Sequence, residues 1–276
     1  FGGPAFQSLV PTLVPRATLP NAIALNSIQF NLAQMVGPLI GGVVLATLGM
    51  IACFGVNGAS FLVVIIVLGF MRLPHPTTTH RERMLVELKN GLSYVHNQSS
   101  LLWLIVLATA TTTLGVPIRA FLPMFAEDAT HLSLIMTALG GGAVTGALIV
   151  AWLGKFKRMG QTLLLVQIAF GGLVATFAFL PFTAFSYVVI YLCGMTLLMI
   201  FSLTNSLVQL AVPNELRGRV ISIYLVAFRG GMPLGSLVSG YFITLSSASV
   251  VIAINAILLV LVAIYVLVRS PIAREL

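Results

Sequence analysis

The sequence predicts an all-α integral membrane protein built as two parallel six-helix halves, and three observations carry that reading. Apolar residues make up 59% of the chain and the mean hydropathy is +1.08, while charged residues are only 7%. A soluble domain carries about 25% charge, so most of this surface must face a solvent other than water, and that solvent is lipid. Apolar runs long enough to cross a bilayer recur along the chain. The chain also matches itself at a shift of 198 positions.

The apolar runs fall near 23–48, 51–72, 101–125, 131–153, 161–180, 186–211, 220–245 and 248–268. Each has roughly the 20 residues that a helix needs to cross about 30 Å of hydrocarbon. Pro15, Pro20, Pro74, Pro181 and Pro213, with the charged clusters, punctuate them. A further run, Phe1–Val14, would rise only about 21 Å. It has no basic flank, so it does not read as a signal peptide. The expectation is that the sequence starts inside a membrane helix of a longer protein. Cys53 and Cys193 sit within apolar runs and read as packing residues, with no disulfide framework.

The net charge of +8 does not indicate nucleic acid, because the basic residues are spread over short loops. One set of alternate loops holds Arg16; Arg72, Arg81, Arg83 and Lys89; Lys155, Lys157 and Arg158; Arg217 and Arg219; Arg269 and Arg274. That is 12 of the 14 basic residues. The other set holds only Arg119, beside Glu127 and Asp128, and Arg229 lies within a span. Lys/Arg bias sets orientation, so the first set is expected in the cytoplasm, with the C-terminus inside.

The loop 73–100 contains His75, His80 and His96. Their spacing offers no tight ligand pair and no cysteine is near, so no metal is expected there. It reads as a solvated linker. Its second half is amphipathic, with Leu85, Leu88, Leu92 and Val95 on one helical face and Lys89 and Asn90 turned away.

In the self-match, Ser8-Leu9-Val10 aligns with Ser206-Leu207-Val208, Val14-Pro15 with Val212-Pro213, Ile23 with Ile221 and Phe30 with Phe228. Gly37, Leu39, Gly42 and Asn57 align with Gly235, Leu237, Gly240 and Asn255. The shift covers six spans, an even number, so both copies run in the same direction. Parallel six-helix repeats are the arrangement of one large transporter class. The domains expected are the remainder of an N-terminal half at 1–72, a cytoplasmic linker at 73–100 and a complete C-terminal half at 101–276. Three further spans would precede residue 1 in a twelve-span protein.

This organisation resembles the major facilitator superfamily, and short motifs sharpen the resemblance. Gly37-Pro38-Leu39-Ile40-Gly41-Gly42 is similar to the GPxxGG core of the motif of drug–proton antiporters, with Ala33 where a glycine usually stands. Gly154-Lys155-Phe156-Lys157-Arg158-Met159-Gly160 resembles the second copy of the superfamily's Gly-x-x-x-Asp/Arg-Arg-x-Gly loop, with Lys157 at the usual acidic position. Pro213-Asn214-Glu215-Leu216-Arg217-Gly218-Arg219 fits its Pro-x-x-x-Arg-Gly pattern. Leu122-Pro123-Met124-Phe125, Gly140-Gly141-Gly142-Ala143, Asn205-Ser206-Leu207-Val208-Gln209, Arg217-Gly218-Arg219-Val220 and Pro233-Leu234-Gly235 look like the exporter branch containing the enterobactin exporter, the transmembrane secretion effectors.

Polar residues inside spans are costly in lipid and mark cavities. Ser27, Asn31 and Gln34 share a helical face, and a later span carries Thr204, Asn205 and Gln209. The repeat aligns Gln7 with Asn205 and Asn31 with Arg229. Arg229 lies ten residues past Arg219, about 15 Å along a helix and near the midplane. The substrate-cavity candidates are therefore Gln7, Asn31, Gln34, Asn205, Gln209 and Arg229. Thr109 and Thr111–Thr113 read as structural, since threonine hydroxyls bond their own backbone. Glycines four apart, as at Gly37 and Gly41 or Gly142 and Gly146, let helix backbones approach.

The basic loops hold topology. Gly154, Arg158, Gly160, Glu215, Arg217, Gly218 and Arg219 are the candidates for a cytoplasmic gate. No carboxylate lies mid-span, so a proton-coupling site is expected upstream of residue 1, with Glu127, Asp128 and His131 as the alternative. The resemblance implies a secondary exporter of small amphipathic molecules, of drug or siderophore type. It would be a monomer in a bacterial inner membrane, working by alternating access without a cofactor. A non-transporting receptor or assembly protein on the same fold is the alternative. A membrane-embedded enzyme is disfavoured, since no acids or nucleophiles cluster.

Overall fold

The computed structural model describes residues 19–70, 92–154, 156–181, 183–213 and 216–270. The chain forms two compact units, Phe1–Thr79 and His80–Leu276.

In the first unit, α1 (Leu19–Phe70) is two helical limbs joined at Gly49, which has φ 78° and ψ −179°. That region of backbone space is open essentially to glycine alone. The two apolar runs expected at 23–48 and 51–72 are thus separated by a one-residue break instead of a loop. The limbs fold back on one another: the Cys53 thiol reaches the Gly41 carbonyl at 3.9 Å.

The second unit contains six membrane-length segments. The short helix 92–97 comes first. Val95 is buried in it while Leu92 is exposed, so the expected apolar stripe divides between packing and surface. Leu85, Leu88, Lys89 and Asn90 lie outside the described residues. Next come α2 (Ser99–Ala110), α3 (Ala129–Leu153), α4 (Met159–Phe179), α5 (Ala184–Ala211), α6 (Arg217–Leu245) and α7 (Ala248–Arg269). The lengths and apolarity of seven helical segments, including Thr47–Phe70, suit membrane crossing among the described residues. α3 lies along α5, α4 packs against both α5 and α7, and α6 packs on α2. Phe170, Leu101, Leu104, Leu107, Ile190 and Ile200 fill the core. Trp152, Val268 and Leu237 are 87%, 72% and 71% exposed, the inverted surface that lipid permits.

The span expected at 101–125 is not one continuous α-helix. After Ala110 the chain makes a π-turn at Thr111–Gly115, a single α-turn at Ile118–Phe121 and a 3-10 turn at Leu122–Met124. The cause is local. The hydroxyls of Thr109, Thr111 and Thr112 donate to the carbonyls of Ile105, Leu107 and Ala108 at 2.8, 2.8 and 3.0 Å, as expected for structural threonines. Pro117 has no N–H to give the carbonyl one turn back. The Val116 N–H then bonds the Thr111 carbonyl at 3.0 Å, five residues away.

Helix ends follow capping rules. The Asp128 carboxylate accepts the His131 N–H at 2.7 Å ahead of α3, and Ser247 accepts the Val250 N–H at 3.3 Å ahead of α7. Gly154 ends α3 at φ 57°, and Arg158 precedes α4 at φ 67°. The first glycine of the Gly154–Gly160 loop thus occupies left-handed backbone that other residues enter at a cost of about 1–2 kcal/mol.

Candidate functional site

The candidate site is built on the second unit, where α5 and α6 meet. Phe201, Asn205 and Gln209 recur every four residues on α5 and form one half-buried stripe. Phe201 packs edge-on against Phe228 of α6, ring centroids 4.8 Å apart, and Tyr224 lies 5.6 Å from Phe228 one turn earlier. The aromatic contact joins α5 to α6 at Phe228, the residue before Arg229.

Arg229 itself is exposed. It lies on the side of α6 that also presents Val226 and Pro233, opposite the face that Gly231 and Gly235 turn to Thr112 and Thr113. Asn205, Gln209 and Arg229 are the cavity candidates whose side chains the structure describes: two half-buried amides on α5 and an exposed guanidinium on α6. A guanidinium is a permanent charge with five donors, and two carboxamides supply donors and acceptors. Phe201 and Phe228 add aromatic rings to the same pair of helices.

The other candidates are distributed as follows. Gln7 and Glu215 lie outside the described residues. Asn31, Gln34, Gly37, Pro38 and Gly42 are on the first limb of α1, and their side chains lie outside the described set. Gly41 is exposed, and a Cβ there would meet nothing within 4 Å. Gly154, Arg158 and Gly160 form the turn between α3 and α4, with Arg158 exposed and Gly160 buried. Arg217 and Gly218 open α6, and Arg219 is half-buried one residue later.

At the other end of α3, the His131 Nδ1 lies 3.6 Å from the Asp128 carboxylate and 3.8 Å from that of Glu127. No group of three or more His, Cys, Asp or Glu side chains suited to a metal occurs among the described residues.

Several features were not anticipated from sequence. Gly194 is one: a methyl added there would overlap the Leu139 carbonyl oxygen, so its backbone touches α3. Gly142 and Gly146 make the reciprocal contacts with the Tyr191 and Met195 carbonyls, and Thr145 hydrogen-bonds the Tyr191 hydroxyl across the pair. Gly231 and Gly235 seat in the same way on Thr112 and Thr113 of the π-turn. The fully buried Gln167 amide of α4 has no hydrogen-bond partner among the described residues. Gly142 and Gly146, and likewise Gly231 and Gly235, are four apart, a spacing legible in the sequence. The partner surfaces come from distant sequence.

The family model described as transmembrane secretion effector matches residues 1–275. The chain is 30% identical over 250 residues to the multidrug efflux pump Tap of Mycolicibacterium fortuitum, covering 87% of this chain and 61% of that protein. It is 28% identical over 252 residues to Tap of Mycobacterium tuberculosis H37Rv, covering 86% and 60%. It is 26% identical over 244 residues to the enterobactin exporter EntS of Escherichia coli O139:H28, covering 87% and 58%. The chain thus spans about three fifths of the length of these relatives. With a match that runs from the first residue to the penultimate one, the chain belongs to the transmembrane secretion effector family of the major facilitator superfamily.

Proposed function

We propose that the protein carrying this chain is a secondary active exporter of small amphipathic molecules, working by alternating access. The observation that supports the reading is that the membrane-length helices α5 and α6, in contact through Phe201 and Phe228, carry the half-buried amides Asn205 and Gln209 and the exposed guanidinium of Arg229. Such groups suit ligands with an apolar body and a polar or anionic end. The names of the Tap and EntS relatives, a multidrug efflux pump and an enterobactin exporter, support the same class.

In this proposal 1–72 belongs to the N-terminal half, 73–100 is the cytoplasmic linker and 101–276 is the C-terminal half. The halves rock about a site between them. The glycine-seated contacts of α3 with α5, and of α6 with the π-turn at Thr111–Gly115, make the C-terminal half stiff enough to move as a body. The loop 154–160 and the segment 215–219 sit at the cytoplasmic side, where their arginines brace the closed inner gate.

Two measurements test this. Cells lacking their own efflux pumps and expressing the complete polypeptide are expected to accumulate several-fold less of an amphipathic fluorescent dye. An uncoupler should abolish that difference if protons drive export. Unchanged accumulation of dyes and siderophores, with the protein present in the membrane, would favour a receptor or assembly role. Reporter fusions after Arg72, Arg158 and Arg274 should report cytoplasm, and fusions near Asp128, Pro181 and Ser247 the opposite side. Two of these on the wrong side would defeat the six-span repeat.

A further inference from the structure

Aromatic and charged side chains meet at one edge of the second unit, where α2 begins and α7 ends. α7 is the most apolar of the membrane-length segments among the described residues. Its Leu258, Leu261, Tyr265 and Val268 follow at three- and four-residue steps and are all exposed, so they form one stripe along the helix. Exposed apolar side chains on a membrane helix face hydrocarbon. Arg269, in the last turn of α7, is exposed and continues the stripe four residues past Tyr265.

Trp103 of α2 packs on Tyr265, with ring centroids 5.7 Å apart and planes inclined at 59°. Trp103 lies in the second turn of α2 and Tyr265 in the last turns of α7, so this contact sets the start of one helix beside the end of the other. Both rings are about one turn inside the helix ends. That is the level of the headgroup–hydrocarbon boundary, where Trp and Tyr concentrate because one side of the ring is apolar and the other wet. Arg269 stands one turn further out, at headgroup level. The described carboxylates, Glu127 and Asp128, follow the far end of the Ser99–Met124 span, so neither neutralises this guanidinium.

We propose that the α2–α7 edge holds an anionic phospholipid, with its phosphate on Arg269, its glycerol region over the Trp103–Tyr265 pair and an acyl chain along Leu261 and Leu258. Each part meets its physical match. The guanidinium offers a planar fork of donors to phosphate oxygens. The rings suit the half-polar ester region, and the leucines suit the chain. A zwitterionic lipid fits less well, because its own ammonium group opposes the guanidinium. An anionic headgroup brings no such cation. The proposal needs only that the chain lies in a bilayer, so it holds or fails independently of what the protein transports.

Tryptophan fluorescence tests this, with the complete polypeptide in vesicles of dioleoylphosphatidylcholine. A few per cent of the lipid is replaced by phosphatidylglycerol or phosphatidylcholine whose chains are brominated near the glycerol and quench on contact. Trp103→Phe keeps a ring against Tyr265, and the emission lost in that variant isolates the signal of Trp103. Brominated phosphatidylglycerol should quench that signal about fourfold more than brominated phosphatidylcholine, from a local preference of about fivefold for one cation beside an anionic lipid. Arg269→Gln should bring the ratio to about one, and Arg269→Lys should keep most of it, since the charge remains. Arg158→Gln removes an exposed cation from the turn between α3 and α4 and should leave the ratio unchanged. If the Arg269 glutamine variant fails to insert, salt at about 1 M, where the screening length is about 3 Å, should collapse the ratio in the unaltered protein. A ratio near one in the unaltered protein would overturn the proposal. So would a ratio that survives Arg269→Gln or high salt, or one that Arg158→Gln lowers equally, which would mean attraction to the basic surface as a whole.

Discussion

Gly146→Ala is expected to cost more than about 3 kcal/mol and to remove most of the folded protein from the membrane. The physical reason is that lipid gives no hydrophobic drive to bring helices together, so close packing must supply the attraction. At the α3–α5 crossing that packing is backbone on backbone. A methyl on Gly142 overlaps the Tyr191 carbonyl, one on Gly146 overlaps that of Met195, and one on Gly194 overlaps that of Leu139. None of these is the tip of a flexible side chain, so the helices must separate to admit even one carbon. Separation would also break the Thr145–Tyr191 hydrogen bond. Gly172 is the internal control. It lies within α4, is exposed, and a Cβ there meets nothing within 4 Å. Gly172→Ala should therefore stabilise by about 0.5–1 kcal/mol, the ordinary gain of alanine over glycine in a helix. Thermal unfolding in detergent, read by retention of the monodisperse peak, should show shifts of opposite sign for the same substitution. Equal shifts would mean that the crossing is looser than its glycines imply.

Arg229→Gln is expected to lower export at least about tenfold, the low end of what hydrogen bonds to a charged group contribute, about 1.5 kcal/mol. Arg229 sits mid-helix on α6 and is exposed. A guanidinium at that depth stays charged, so it needs water, carbonyls or an anion facing it. In the proposed exporter the anion is a substrate group or a coupling carboxylate. Lysine should restore part of the rate, since it keeps the charge and loses the planar fork. Cysteine at 229 should react with a water-soluble thiol reagent, because a translocation cavity is wet and lipid is not. Protein amount in the membrane should be unchanged in all three variants. Normal export by the glutamine variant, together with an unreactive cysteine, would remove Arg229 from the cavity. Reduced protein with normal export per molecule would make it a structural residue.

Much of the second unit was legible in the sequence because lipid simplifies the code. A helix in a bilayer must satisfy its backbone internally and present about 20 apolar residues. The runs at 131–153, 161–180, 186–211, 220–245 and 248–268 therefore read directly as α3 to α7, with ends close to those observed. The threonines before Gly115 read correctly as bonding their own helix. The same threonines with Pro117 also rewire the helix into a π-turn, and that outcome was missed. A one-residue change of register leaves no mark in an apolar run. The join at Gly49 was hidden for a similar reason. A glycine between two apolar runs looks the same whether it sits in a short loop or alone turns the chain.

By itself the sequence determined the solvent, the number of the spans in the second unit, and the repeat that pairs Asn57 with Asn255. These follow from composition and from identity at a fixed shift, which need no knowledge of what touches what. Tertiary structure alone decided which glycines are contacts and which are space. Gly41 and Gly146 both sit four residues from another glycine, yet one opens on a recess and the other abuts a carbonyl oxygen. It also decided that Ser239 answers Asn255. The reason is that a side chain's value in a membrane is set by the atom opposite it. That atom comes from a different helix, whose rotation and depth are fixed only when the bundle packs.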